Sequence, residues 1–263
     1  MPRADLGDIQ IHYQLSGPPE APALVLAHAL GTDHSIWDEV LPRLPEGLRI
    51  LSYDLRGHGQ SSVPEGPYSM GALIRDAEQL LELCEIRDCA FVGLSLGGMV
   101  AQGLAVKRLD LVRALVLSNT AAKFATPDIW QRHMAVIRTG GLAAISAETM
   151  QRWFTRASLT SGAHIPTQTL LEGTSVEGYL GCCAAIAGTD FYTPTSGLRL
   201  PTLGIAGSED GATPPDLLRE TVDLIPGSQF TLLRRCGHLP PVEQPEGFAL
   251  RLTKFLKETG HYG

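Results

Sequence analysis

Several protein classes are excluded by what this chain lacks. It has only five cysteines, two of them adjacent (Cys182 and Cys183), and no CxxC pair. Neither a disulfide framework nor a cysteine zinc site fits that spacing. No HExxH motif appears, so no metal is expected. No apolar run approaches the ~18 residues that a membrane span requires. Residues 1–15 (MPRADLGDIQIHYQL) have no apolar segment behind a basic start, so no signal peptide is expected. Positive charge is also short, with 21 Lys and Arg against 28 Asp and Glu, a net charge of −7. An acidic body repels phosphate backbones and anionic lipid, which argues against nucleic-acid and membrane partners. What the chain does have is apolar mass: 44% of its 263 residues are hydrophobic and 19% charged, unlike a disordered segment. The expectation is a cytoplasmic protein, monomeric or a small homo-oligomer.

Apolar runs alternate with helical patterns, the signature of a mostly parallel sheet flanked by helices. Strands are predicted at 9–15 (an edge strand), 23–28, 49–53, 89–94 and 112–117. Helices are predicted at 70–85, where Leu73, Ala77, Leu80, Leu81 and Cys84 share a face, and at 96–107. From 127 to 190 there are helical stretches around 129–138, 142–154 and 178–186, without a strong strand. Strands resume at 202–206 and 230–233, with helices at 214–224 and 244–257. This reads as one α/β core, residues 1–126 and 191–263, interrupted by a helical cap at 127–190. So long an interruption is usually functional.

Gly93-Leu94-Ser95-Leu96-Gly97 is a G-x-S-x-G pentapeptide set between a predicted strand and a predicted helix. At such a junction the sharp turn lifts the serine hydroxyl above the sheet and aims a helix N-terminus at it. A dinucleotide fingerprint would need glycine where Ser95 stands. A serine hydroxyl needs a base. Among eight histidines, His238 lies between the last strand and the last helix, at the end of the sheet where Ser95 emerges. The carboxylate that orients the base should also follow a strand, and Glu209 and Asp210 both do. Asp210 is preferred because it lies nearer the next helix. An oxyanion needs two preorganised N–H donors. Leu96, directly after the nucleophile, supplies one, and Leu30 in the strand-exit segment His28-Ala29-Leu30-Gly31 is assigned the other. The segment from Asp54 to Ser61 (DLRGHGQS) is read as structural, with Arg56 pinning the turn through a charge-assisted hydrogen bond.

The order Ser95, Asp210, His238 is that of the α/β-hydrolase fold. The chain resembles α/β hydrolases over nearly its whole length, and within them the 3-oxoadipate enol-lactonases of aromatic-compound degradation. The matching stretches are HALGTDHSIWDEVLPRL, YDLRGHGQSSVPEGPYSM, GLSLGGMVAQGLA, VLSNTAAKFATPDIW, RWF, GYLGCCAAI and GSEDGATPP. The resemblance implies a mostly parallel twisted sheet flanked by helices, with the cap inserted after the sixth strand. It implies Ser95 as nucleophile, Asp210 as acid, His238 as base, and Leu30 and Leu96 as oxyanion donors. One position departs. Enol-lactonases often carry an arginine after the cysteine-alanine-isoleucine stretch, where this chain has Ala187.

In the cap, Trp130, Trp153 and Arg132 are taken as substrate-binding, with Arg138, Arg152 and Arg156 as further cations. Trp130 shares a helix face with Met134 and Ile137, so plain packing competes with a binding role. Cys182 and Cys183 read as small apolar fillers. The expected reaction is hydrolysis of a small enol-lactone or simple ester through an acyl-enzyme, with no cofactor. A general carboxylesterase or a cofactor-free perhydrolase is the alternative within the fold, and a non-catalytic ligand receptor the alternative outside it.

Overall fold

The computed structural model describes residues 2–263. Eight strands form one sheet: β1 (Arg3–Asp5), β2 (Gln10–Ser16), β3 (Ala23–Ala27), β4 (Arg49–Tyr53), β5 (Cys89–Leu94), β6 (Val112–Ser118), β7 (Thr202–Gly207) and β8 (Gln229–Leu233). Their spatial order is β1-β2-β4-β3-β5-β6-β7-β8. β1 and β2 pair antiparallel, as do β2 and β4, and every other pair is parallel. The three-residue β1 was not anticipated, and it covers the flank of β2, which is therefore not the edge. β3, β5 and β7 are buried along their whole length. Strands covered by helices on both faces must be apolar throughout, which explains the unbroken runs ALVLA and CAFVGL.

The helices between core strands are α1 (Met70–Leu83) and α2 (Leu96–Lys107). Ser69 starts α1 by accepting a hydrogen bond from the Ala72 amide at 3.2 Å. α2 is buried from Leu96 to Ala105, so its sequence is apolar nearly all round. After β6 come α3 (Pro127–Gly140), α4 (Ala143–Trp153), α5 (Arg156–Ser161), α6 (Ile165–Gly173) and α7 (Val176–Ala187), then α8 (Tyr192–Ser196) before β7. The chain closes with α9 (Pro215–Asp223), β8, α10 (Pro240–Glu243) and α11 (Pro245–Glu258). α5, α6 and α8 escape a periodicity reading because they are short and rich in Ser and Thr. Among the described residues no helix is long and apolar enough to cross a membrane.

The chain runs from β3 out to β4 and then returns to β5 on the other side of β3. This reversal opens a crevice at the strands' carboxyl ends, where ligands bind in open α/β sheets. The segment after β3 carries Leu30, and the turn after β5 carries Ser95.

Two buried charge networks brace the loops that follow β3 and β4. The Arg56 guanidinium donates to both carboxylate oxygens of Asp76 on α1, each at 2.6 Å, and lies 5.3 Å from the centre of the Tyr68 ring. Asp54, fully buried, faces Nδ1 of His12 at 2.8 Å and Nδ1 of His34 at 2.7 Å. It also accepts from the amides of His34 and Gln60. Burial pushes the Asp54 carboxyl up, but the hydrogen bonds from His34 and from the two amides outweigh it. Its pKa settles well below the usual carboxylate range. The same hydrogen bond to Asp54 raises the pKa of His34 against its own burial.

The consequence for stability has a definite sign. A raised folded-state pKa contributes stability that is complete below the unfolded value of about 6.5 and fades as pH rises through the folded value. Replacing His34 with Gln removes that contribution. In urea titrations, the stability gap between wild type and His34→Gln is therefore expected to be widest near pH 6 and to narrow as the solution becomes alkaline.

Candidate active site

Ser95 occupies a backbone conformation that side chains rarely adopt, with φ 54° and ψ −113°. Such a conformation costs on the order of 1–3 kcal/mol and persists only where the surroundings impose it. Here they do. The Ser95 amide donates to the Ser118 carbonyl at 2.9 Å, and its carbonyl accepts from Thr120 Oγ1 at 2.7 Å. The turn leaves no room beside it. A Cβ on Gly93 would stand 2.2 Å from the Gly97 carbonyl oxygen, and one on Gly97 would stand 2.3 Å from that of Ala27. The two glycines of the pentapeptide are therefore set by close packing of β5, α2 and the end of β3.

His238 and Asp210 are both buried, and Nδ1 of His238 lies 2.8 Å from Oδ2 of Asp210. Asn119 Nδ2 donates to the same oxygen at 2.7 Å, while Oδ1 accepts from the amides of Ala212 at 2.8 Å and Thr213 at 2.9 Å. The Thr213 hydroxyl lies 2.9 Å from Oδ2 and 3.1 Å from the imidazole. Burial pushes the Asp210 carboxyl up, yet the facing imidazole and these donors outweigh it and hold it below its ordinary value. Glu209, the other carboxylate at this strand end, is exposed and makes no such contact.

The cap reaches the imidazole directly. The His238 amide donates to the Trp153 carbonyl at 2.7 Å, and the two rings stack with centroids 5.7 Å apart and 29° between planes. The Gly211 amide, next to Asp210, donates to the Arg152 carbonyl at 2.9 Å. The last turn of α4 thus grips both the acid loop and the histidine loop.

The segment after β3 is braced by two buried histidines. His28 accepts from the Leu55 amide at Nε2 and donates from Nδ1 to the Ala29 carbonyl, at 2.9 and 2.7 Å. His58 Nε2 accepts from the Gly31 amide at 3.0 Å, and Nδ1 lies 3.1 Å from the Arg56 carbonyl. Each ring must be neutral to accept at Nε2. Burial favours that form, lowering the pKa of His28 and pushing that of His58 down to about 3. Among the described residues, the amides of Leu30 and Leu96 donate to no protein acceptor. Two unspent donors thus stand one in the segment after β3 and one at the first residue of α2, directly after Ser95.

Ser95, Leu30 and His238 line one cleft of about 390 Å³, walled by Ile129, Trp130, His133, Trp153, Tyr179 and Leu217. A larger groove of about 630 Å³ lies at the other end of the sheet, around Ala23, Arg49 and Asp88, where β3 and β4 begin. It contains none of the candidate residues. Trp130 donates from Nε1 to the Phe124 carbonyl at 2.9 Å and presents its ring to the cleft. Trp153 is 6% exposed, so for this residue packing and cleft lining coincide.

Arg132 is a correction. Ile129, Trp130 and His133 face the cleft from α3, while Arg132 is exposed and does not line it. At about 100° per residue, Arg132 projects from a different side of the helix. The cations at the cleft are Arg152 and Lys123, and Lys123 is paired with Asp190 at 2.8 Å. Arg152 donates from Nε to the Gly211 carbonyl at 3.2 Å, and no carboxylate of the described residues pairs with it. Asn119, Thr213, His28 and His58 were not assigned to the site from sequence. Asn119 has a positive φ of 45°, which a one-dimensional pattern does not reveal.

Comparisons with known proteins agree with this architecture. A family model described as alpha/beta hydrolase fold matches residues 22–245. The 3-oxoadipate enol-lactonase 2 of Acinetobacter baylyi is 32% identical over 244 residues, spanning 92% of this chain and 91% of that protein. The 3-oxoadipate enol-lactonase 1 of the same organism is 33% identical over 249 residues, spanning 94% and 93%. The crystal structure of the enol-lactonase from Burkholderia xenovorans superimposes with a TM-score of 0.93 at 32% identity, covering 97% of this chain and all (100%) of that one. The chain belongs to the α/β hydrolase fold family, among relatives that include 3-oxoadipate enol-lactonases.

Proposed function

We propose that this protein is a cytoplasmic serine hydrolase that opens a small, carboxylate-bearing enol-lactone of the 3-oxoadipate enol-lactone type. The observation that carries the reading is the buried Asp210–His238 pair, whose imidazole lines the same cleft that Ser95 enters from its strained turn. In the proposed reaction Ser95 Oγ attacks the lactone carbonyl while His238 Nε2 takes its proton. Asp210 holds the imidazole in the Nδ1–H form and stabilises the imidazolium. The amides of Leu30 and Leu96 receive the oxyanion as charge develops there. His238 then returns the proton to the enol oxygen as the ring opens. The enol stays tethered through the acyl group until water, activated by the same histidine, releases the product. Tautomerisation of the freed enol to a ketone makes ring opening effectively one-way.

The substrate's carboxylate is inferred from the charge of the cleft. The whole chain carries −7, yet no Asp or Glu is found among the described residues lining the cleft, and Arg152 and Lys123 are. Lys123 is neutralised by Asp190, which leaves the Arg152 guanidinium to meet an anion. His133, also on the wall, is held neutral by burial and by the nearby Arg152, so it adds no charge. Arg152 thus serves where Ala187 has no cation to offer, while its neighbour Ile186 lines the cleft.

A fluorophosphonate probe is expected to label Ser95, as read by peptide mass spectrometry, and Ser95→Ala to abolish both labelling and turnover. A folded wild-type protein that stays unlabelled would point to the ligand-receptor alternative. Steady-state kinetics should show the enol-lactone preferred over neutral aryl esters, and a preference for the aryl esters by orders of magnitude would indicate a general esterase. A charge-assisted hydrogen bond is worth about 1.5–3 kcal/mol, so Arg152→Ala should raise KM for the carboxylate-bearing lactone about tenfold or more. The same substitution should affect a neutral aryl ester by a much smaller factor, and Arg132→Ala should leave both KM values near wild type.

A further inference from the structure

Glu243, at the end of α10, belongs neither to the proposed triad nor to the lining of the cleft. Its carboxylate is nevertheless the most heavily hydrogen-bonded group between the cap and the core on the His238 side. Oε2 accepts from the Gly237 amide at 2.5 Å, immediately before His238 in the chain. Oε1 accepts from the Thr155 amide at 3.0 Å, the Thr155 hydroxyl at 2.8 Å and the Ser158 hydroxyl at 2.5 Å. Thr155 is the residue that opens α5, two positions beyond Trp153. One carboxylate therefore fastens the α4–α5 junction of the cap to the peptide that carries the proposed base. All four donors are neutral, and no lysine or arginine of the described residues pairs with Glu243.

The Gly237–His238 segment is held at several points. Asn119 Nδ2 donates to the Gly237 carbonyl at 3.2 Å, the Trp153 carbonyl takes the His238 amide, and Asp210 takes the ring. Asp210 fixes how the imidazole is turned. The backbone contacts fix where it stands, and Glu243 alone among them reaches the cap through a side chain with two separate sets of donors. Trp153, which stacks on the His238 ring, lies on the same cap segment.

We infer that Glu243 is a positioning residue: it keeps His238 in register with the cap wall, so that base and substrate wall share one frame. The inference rests on the serine-hydrolase reading above. Its mechanism is geometric, since a misplacement of about 1 Å in a catalytic group can cost a hundredfold in rate. Glutamine at 243 presents an amide N–H₂ to one of its two sets of N–H and O–H donors. The hydroxyls of Thr155 and Ser158 can turn to accept that N–H₂, but the amide of either Gly237 or Thr155 then loses its acceptor, while side-chain volume is kept. Aspartate keeps the acceptor chemistry on a shorter reach.

The test uses the full chain and three readouts: kcat and KM on a p-nitrophenyl ester, the rate of inactivation by a fluorophosphonate, and the melting temperature. For Glu243→Gln, kcat and the inactivation rate should fall together by about tenfold to a hundredfold, with KM within twofold of wild type. Glu243→Asp should recover part of both rates. Rates within twofold of wild type in Glu243→Gln, whatever the melting temperature, would show a merely structural tie and overturn the inference. If Glu243→Gln does not fold, Ser158→Ala removes one donor from Oε1. A drop of twofold or more in both rates at unchanged KM then supports the inference, and unchanged rates overturn it. A wild-type protein that is not labelled at Ser95 overturns the hydrolase reading and this inference together. A labelled wild type with an unaffected Glu243→Gln overturns this inference alone.

Discussion

A carboxylate can stay charged away from water only if its oxygens are met by donors, and Asp210 is met on both. The imidazole of His238 is one partner. Asn119 from the end of β6, and the backbone of Ala212 and Thr213 from the loop after β7, supply the rest. This convergence requires β6, β7 and the loop after β8 to end at the same level, which the parallel register of the three strands provides. The buried anion in turn limits the histidine to one tautomer, with its hydrogen on Nδ1 and a lone pair on Nε2. Anything that loosened the strand ends would leave a buried charge short of partners, so packing of the sheet and readiness of the proposed base are bound together.

The other side of the cleft follows a complementary logic. There the buried imidazoles are kept neutral: His28 and His58 accept backbone amides at Nε2, and burial lowers the pKa of both. Their hydrogen bonds occupy the amides of Leu55 and Gly31, and leave that of Leu30 without a protein partner. Asp54 and His34 stand just behind, a pair that favours the charged form. Neutral rings beside the proposed oxyanion donors leave that side of the site uncharged until an oxyanion forms there.

Much of this arrangement was legible in the sequence because it depends on local backbone geometry. A strand, a G-x-S-x-G turn and a helix can be read from residues 89–107 alone, and α2 begins and ends at the residues the apolar pattern indicated. Loops at strand ends could be placed on one side of the sheet from alternation alone, which brought Ser95, Asp210 and His238 into consideration together. Side-chain direction on a helix was less accessible. Arg132 and Arg152 look equivalent in a list of cap cations, and only the rotation of α3 and the end of α4 separates them. Contacts that join distant segments were not legible at all. Asn119 is 91 positions from Asp210, and Glu243 is 88 from Thr155. No spacing rule links such pairs. β1 was missed because three residues are too few to show alternation.

The placement of charge around the cleft bears on how an anion would approach an acidic protein. Long-range repulsion from a net charge of −7 slows the encounter but is screened beyond about 8–10 Å at physiological salt. At the cleft the local balance reverses, because no Asp or Glu lines it while Arg152 does, without a carboxylate partner among the described residues. An anion that enters exchanges solvent for a guanidinium already tethered through Nε to the Gly211 carbonyl, one residue from Asp210. The proposed carboxylate-binding group and the proposed acid thus both meet the same short loop. A substrate gripped by Arg152 is referenced to the backbone that carries Asp210, and through it to the imidazole. Under this reading, recognition of the distant carboxylate and placement of the scissile bond are a single geometric constraint.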